Sequence, residues 1–259
     1  MRLPRHFAFV ALLALLVTAL SPSLADAQTR SRRVSGSAET APVIKLLAGR
    51  PTGETLAALA TFRIPAVAEA DRADLMRSMP RRFTDNVLDD SDATVSSLKQ
   101  RLKPVLSLHG RDGTLAVYVY RDPTPEVLSV PGAFVAFSTG MIDFARSDGA
   151  LMGVAASELA REYFALPSAY ANYSENAAVA REQTLNRDAV AVASLLALKQ
   201  KPGEYRALLD RLHGLATADT SPGDHAALDA EFTSRMAAFD RLEVTLKKPN
   251  KAGVLLTES

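Results

Sequence analysis

The sequence predicts an α+β fold, mainly helical, with a small sheet ahead of a run of helices. Two observations predict the sheet: Thr114–Tyr120 ("TLAVYVY") and Gly132–Ser138 ("GAFVAFS") are short, rich in β-branched and aromatic residues, and bounded by turn signals. A third predicts the rest. From Gly140 onward the pattern is helical, broken only at Asp148-Gly149, Leu166–Ser174, Lys201-Pro202-Gly203 and Ser221-Pro222-Gly223.

Taken in order, the chain opens on a segment that reads as targeting. Arg2 and Arg5 precede an apolar run from Phe7 to Leu20, Ser21-Pro22 ends it, and Ala25-Asp26-Ala27 supplies a small-x-small cleavage pattern. As a helix the run spans about 21 Å, short of a ~30 Å hydrocarbon core. Residues 1–27 are therefore expected to be a cleaved signal peptide and the protein to be exported, periplasmic or secreted, with no stable membrane insertion afterwards. Residues 28–41 are polar and basic and read as a flexible linker. Residues 42–91 form an N-terminal helical segment containing "TGETLAALATF" and "AEADRADLMRSM", with a loop from Arg81 to Asp92. Asp92 is placed to cap a helix reaching about Leu106. Gly110-Arg111-Asp112-Gly113 turns the chain into the first strand, "RDPTPEV" reads as loop, and the second strand follows. Helices are expected over 141–146, 149–165, 175–199, 202–215 and 225–246, with a loose tail over 247–259.

Composition narrows the function. The 259 residues hold 30 basic and 29 acidic side chains and a net charge of +1; losing Arg2, Arg5 and Asp26 leaves the two signs equal. That balance argues against nucleic acid or a polybasic membrane contact. Cysteine is absent, which excludes disulfides, Cys-ligated zinc and a lipoprotein anchor.

The chemistry-bearing stretch is "GVAASELAREYF", residues 153–164. At 100° per residue Val154, Ala155, Leu159 and Tyr163 form one stripe with Glu158 near its middle, and Ser157 and Arg161 lie together on a flank. A carboxylate among core positions costs several kcal/mol unless paired, and Arg161 stands within helical reach of it.

The wider segment "VPGAFVAFSTGMIDFARSDGALMGVAASELAREY" (130–163) resembles metallopeptidase family 48, the group that includes the prenyl-protein endopeptidases. Pro131-Gly132-Ala133 matches the family's strand start, Ser138–Ile142 its turn and Ser147–Leu151 the lead-in to a His-Glu-x-x-His helix. "TLNRDAV" fits the later ligand helix, with Asp188 in its aspartate slot and Thr184 where a glutamate ligand stands. Arg235, in "SPGDHAALDAEFTSRMAAFDRL", occupies a recurrent arginine slot. The resemblance covers roughly residues 92–246. It implies a zincin-like (gluzincin) peptidase domain in which about three strands pack on the zinc-type helix.

Every ligand slot departs from the family. Ser157, Arg161 and Thr184 replace two histidines and a glutamate; a hydroxyl is a poor zinc ligand, and a guanidinium has no lone pair to give. Glu158 keeps the general-base position without a metal-bound water to act on. His109, His213 and His225 have no ligand spacing and read as surface residues. Ser157 lacks a base and a Gly-x-Ser-x-Gly turn, so a serine hydrolase is not supported. No cofactor is expected, zinc entering only if the ligands are atypical. Arg161 is expected to stand in for the lost cation, pairing with Glu158 and with Asp188. The family binds substrate along an edge strand; Gly132, Ala133, Phe134, Val135, Ala136, Phe137 and Ser138 would be that strand here. The expected protein is an inactive metallopeptidase-like module that binds extended segments of other envelope proteins or assists their quality control. The alternatives are an active zinc endopeptidase with atypical ligands and a purely structural domain.

Overall fold

A computed structural model describes Leu56 and residues 63–163, 177–218 and 222–247. The expected signal peptide and linker, most of "TGETLAALATF", the break at 166–174 and the tail beyond Lys247 lie outside the described residues. Two helices come first, α1 (Glu69–Ser78) and α2 (Arg81–Thr84). The stretch from Arg81, expected to be loop, contains α2 because Phe83 buries its ring edge-on to Tyr120, 5.0 Å between centroids. A four-residue helix has little propensity of its own, so packing decides it.

α3 (Ala93–Leu108) starts where its cap signal places it: the Asp92 carboxylate accepts the Thr94 N–H at 2.8 Å. It ends on Gly110, whose φ of 59° lets the Arg111 N–H return to the Leu106 carbonyl at 2.7 Å. Three strands follow, β1 (Ala116–Tyr120), β2 (Val127–Val130) and β3 (Phe134–Ser138), in the order β1-β3-β2. β3 runs parallel to β1, pairing Ala116 with Phe134 and Tyr120 with Ser138, and antiparallel to β2, pairing Val127 with Phe137 and Val130 with Phe134.

This order corrects an expectation. "GAFVAFS" is not an edge strand: β3 is paired on both sides and buried at all five positions. Two edges remain. The outer side of β1 is partly covered, since Leu88 donates to Val119 and Arg121 to Asn86. The outer side of β2 has no strand beside it among the described residues. Ser138 donates to the Glu126 carbonyl and Ala133 to that of Val130, so even-numbered residues of this strand face β3. The pleat then turns the N–H and C=O of Val127 and Ser129 outward. Among the described residues, no backbone group outside the sheet meets them.

The sheet has helices on both faces. Val117, Val119, Val135 and Phe137 point into the main helical core, while Tyr120, Leu128, Val130, Phe134 and Ala136 pack with Leu75 and Phe83 of α1 and α2. The helical part is α4 (Thr139–Ala145), α5 (Asp148–Ala160), α6 (Ala177–Ala197), α7 (Pro202–Ala218) and α8 (Pro222–Lys247). α5 is its centre, touching α3, α6 and α7. It is buried on every side rather than along one stripe. Small residues permit this: a Cβ on Gly153 would lie 2.5 Å from the Tyr205 ring. Among the described residues, no helix is long and apolar enough to cross a membrane.

Candidate functional site

α5 brings Glu158 to the sheet side of the helical core, beside β2. Its Oε2 accepts from the Ser129 hydroxyl at 2.5 Å and from Arg161 Nη1 at 3.2 Å, and its Oε1 accepts from Arg187 Nη2. Arg187, on α6, also donates through Nε to the Ser157 carbonyl at 3.2 Å, and Arg161 Nη1 is shared with the Ser129 hydroxyl at 3.2 Å. One carboxylate is thus held by two guanidiniums and a hydroxyl drawn from a strand and two helices. Burial would raise the Glu158 carboxyl, but the charges of Arg187 and then Arg161, with the Ser129 hydrogen bond, outweigh it and hold the group below the ordinary carboxylate value.

Glu162, four residues on, shows the opposite balance. It pairs with Arg111 at 2.5 Å, both side chains almost fully buried, and accepts the Gly132 N–H at 3.1 Å. Here burial prevails over Arg111, and the carboxyl is pushed up. Arg111 also donates to the Ile64 carbonyl at 2.6 Å, so this pair ties the incoming chain, the β2–β3 turn and the end of α5 together. Its role is architectural.

Next to Glu158 on α5, the Ser157 hydroxyl shares a hydrogen bond with the Tyr205 hydroxyl, which burial and the neighbouring Asp188 carboxylate push up. Tyr205 donates to Asp188 Oδ1 at 3.3 Å, and Arg235 of α8 clamps the same carboxylate at 2.7 and 2.8 Å. The expected contact of Arg161 with Asp188 is therefore corrected. Asp188 is 1 % exposed and belongs to Arg235, while Arg161 pairs with Glu158. Thr184 lies half-buried on α6, one turn ahead of Asp188.

The expected ligand positions therefore form no common donor set. Ser157 faces Tyr205, Arg161 brings a positive charge to Glu158, and a second guanidinium holds the other carboxylate oxygen. These residues do not fit a zinc ion, which needs neutral nitrogen, thiolate or carboxylate donors. The void against Glu158, bounded by Ser129, Val135, Leu159 and Glu162 among others, measures about 10 Å³, roughly one water's room. Among the described residues, no three His, Asp or Glu side chains gather where a metal could sit.

The histidine expectation also needs correction at one position. His109 is 2 % exposed, with Nδ1 at 2.5 Å from the Tyr163 hydroxyl and Nε2 at 2.9 Å from that of Ser194. Burial, helped by the charge of Arg63, lowers its pKa to about 4, so the ring is neutral. His213 is half-buried, stacked on Phe232 at 4.0 Å and bonded to Asp229 at 2.8 Å; His225 is half-buried as well.

No family model matches this chain, and no curated protein matches it. The resemblance to metallopeptidase family 48 rests on the order and spacing of the chain's own residues.

Two members of the cluster escape sequence reading. Arg187 had a signal: a fixed cation one turn after Thr184, on the helix that the resemblance sets against Glu158. Ser129 had none, because nothing local shows that an isolated serine in a short strand meets a helix 29 residues later.

Proposed function

We propose that this chain is an exported, zincin-like member of the metallopeptidase family 48 lineage that no longer cleaves peptides. It binds extended segments of other envelope proteins by strand addition at β2. The observation that carries this reading is the saturation of Glu158. A general base must be free to take a proton from a polarised water. Here both oxygens accept from guanidiniums, the carboxyl is held ionised below its usual pKa, and the neighbouring space is about one water in size.

The open edge supports the binding half of the proposal. Strand addition needs unpaired backbone groups beside a surface that reads side chains. Val127 and Ser129 offer the former, and the Glu158 cluster stands beside them. The edge of β2 replaces β3 as the docking strand, for the reason of sheet order given above.

The test is metal content of the purified protein by mass spectrometry, together with casein hydrolysis in the presence and absence of a chelator. Absence of stoichiometric zinc and of chelator-sensitive cleavage is the expected result. One zinc per chain with chelator-sensitive cleavage would overturn the proposal and establish an endopeptidase with atypical ligands.

A further inference from the structure

The charges around the open edge do not cancel. Glu126, at the head of β2, is bonded by Arg82 at 2.9 Å and by the Tyr120 hydroxyl at 2.8 Å. Behind Ser129, two guanidiniums share the single carboxylate of Glu158, leaving one positive charge in excess. The carboxylate is the enclosed partner, with its side chain 12 % exposed, whereas the Arg161 and Arg187 side chains are 29 and 30 % exposed. Among the described residues, Nε and Nη2 of Arg161 and Nη1 of Arg187 meet no acceptor. Nε and Nη2 of Arg161 form the fork that suits a carboxylate, and Nη1 of Arg187 adds a single further donor.

Register says where that carboxylate would come from. Leu128 and Val130 point to the α1–α2 side of the sheet, while Ser129 points to α5 and reaches Glu158. Residues directly opposite each other on paired strands carry their side chains on the same face, about 5 Å apart. A strand added to β2 therefore places the side chain opposite Ser129 on the face of the sheet that carries Glu158, Arg161 and Arg187.

Resting on the strand-addition reading above, we propose that the open edge of β2 selects extended segments with an aspartate or glutamate opposite Ser129, its carboxylate received by Arg161 and Arg187. The pair of arginines thereby has a use beyond neutralising Glu158: it converts a former catalytic position into a specificity position.

The experiment measures binding of the full chain to two fluorescent peptides, acetylated and amidated, of alternating Thr and Val with a single central Glu or Gln. The Glu peptide is expected to bind about tenfold more tightly at low ionic strength. The gap should shrink as salt rises and close in Arg187→Gln. Equal affinity for the two peptides overturns the carboxylate preference and leaves strand addition standing; binding of neither overturns both. A Gln peptide with a free carboxy terminus is the third probe, and tight binding of that peptide alone would overturn the side-chain assignment in favour of a chain end. The peptide comparison and its salt dependence need no variant, so they decide the matter even if Arg187→Gln does not fold.

Discussion

Glu158 and Glu162 lie four residues apart, both enclosed, and their carboxyls shift in opposite directions because Arg187 and Arg161 outweigh burial at Glu158, whereas Arg111, helped by Arg63, does not outweigh it at Glu162. The same arithmetic ranks the arginines. Arg161→Ala should lower the melting temperature by several degrees, and Arg187→Ala by more, because Arg187 also holds the Ser157 carbonyl. Each loss corresponds to about 1–2 kcal/mol, reduced by the partial exposure of both side chains; a scanning calorimeter checks it, and an unchanged Arg187→Ala would refute the ranking. His109 makes a prediction in pH. Its folded pKa of about 4 lies below the unfolded value, so between those two values the unfolded chain binds the extra proton. Stability from this residue is complete at neutral pH and falls as pH drops from about 6.5 to 4, by about 3 kcal/mol. Glu158, whose folded pKa is lowered, is stabilising above its ordinary value and loses that contribution only below it, in a more acidic window. Urea titrations across pH 7 to 4 should show the parent losing about 3 kcal/mol more stability than His109→Gln over that range; parallel curves would contradict the assignment.

The elements of this protein are set by two different kinds of signal. Caps and turns are local: Asp92, expected as a cap, accepts a first-turn N–H of α3, and Ser138 and Ser147, not expected as caps, do the same for α4 and α5. α2 and β2 were not readable, since four residues carry too little pattern and their existence depends on Phe83 meeting Tyr120 and on β2 meeting β3. α5 shows a third case, in which the period is correct but the burial is not one-sided. Its glycine at position 153 exists for α7. Gly153→Ala would add helix propensity worth about 1 kcal/mol, yet its methyl would enter the Tyr205 ring. Overpacking of this kind costs about 1–3 kcal/mol, so a net loss is expected in the urea midpoint. A gain would show that α5 and α7 can separate freely.

Across the whole molecule, buried ion pairs join parts that are distant in sequence. Arg111–Glu162 connects the chain at Ile64, the β2–β3 turn and α5; Arg235–Asp188 connects α8 to α6. Removing one partner strands a charge in the interior, which costs about 3–5 kcal/mol. Asp188→Asn should therefore lower stability by roughly 3 kcal/mol as one cooperative transition, and Arg235→Met, which leaves Asp188 unpaired, by a similar amount. Equilibrium unfolding followed by far-ultraviolet circular dichroism and by tyrosine fluorescence gives the comparison; a separate early transition confined to one probe would mean that α8 is an independent unit.

The mainly helical α+β class, the two strands with strong β composition, the helix start capped by Asp92 and the placement of Glu158 on a core helix all follow from periodicity and turn chemistry, which act over a few residues. So does the unsuitability of Ser157, Arg161 and Thr184 as zinc donors, because donor chemistry is a property of the side chain alone. The central place of β3, the open edge of β2, the burial of His109 and the partners of Glu158 do not follow. Each depends on pairs such as Ser129–Glu158, Arg187–Glu158 and His109–Ser194, which are 29, 29 and 85 residues apart. No local pattern encodes which of several arginines reaches a given carboxylate. That is settled when the helices pack and the low dielectric of the interior requires every enclosed charge to find an opposite one.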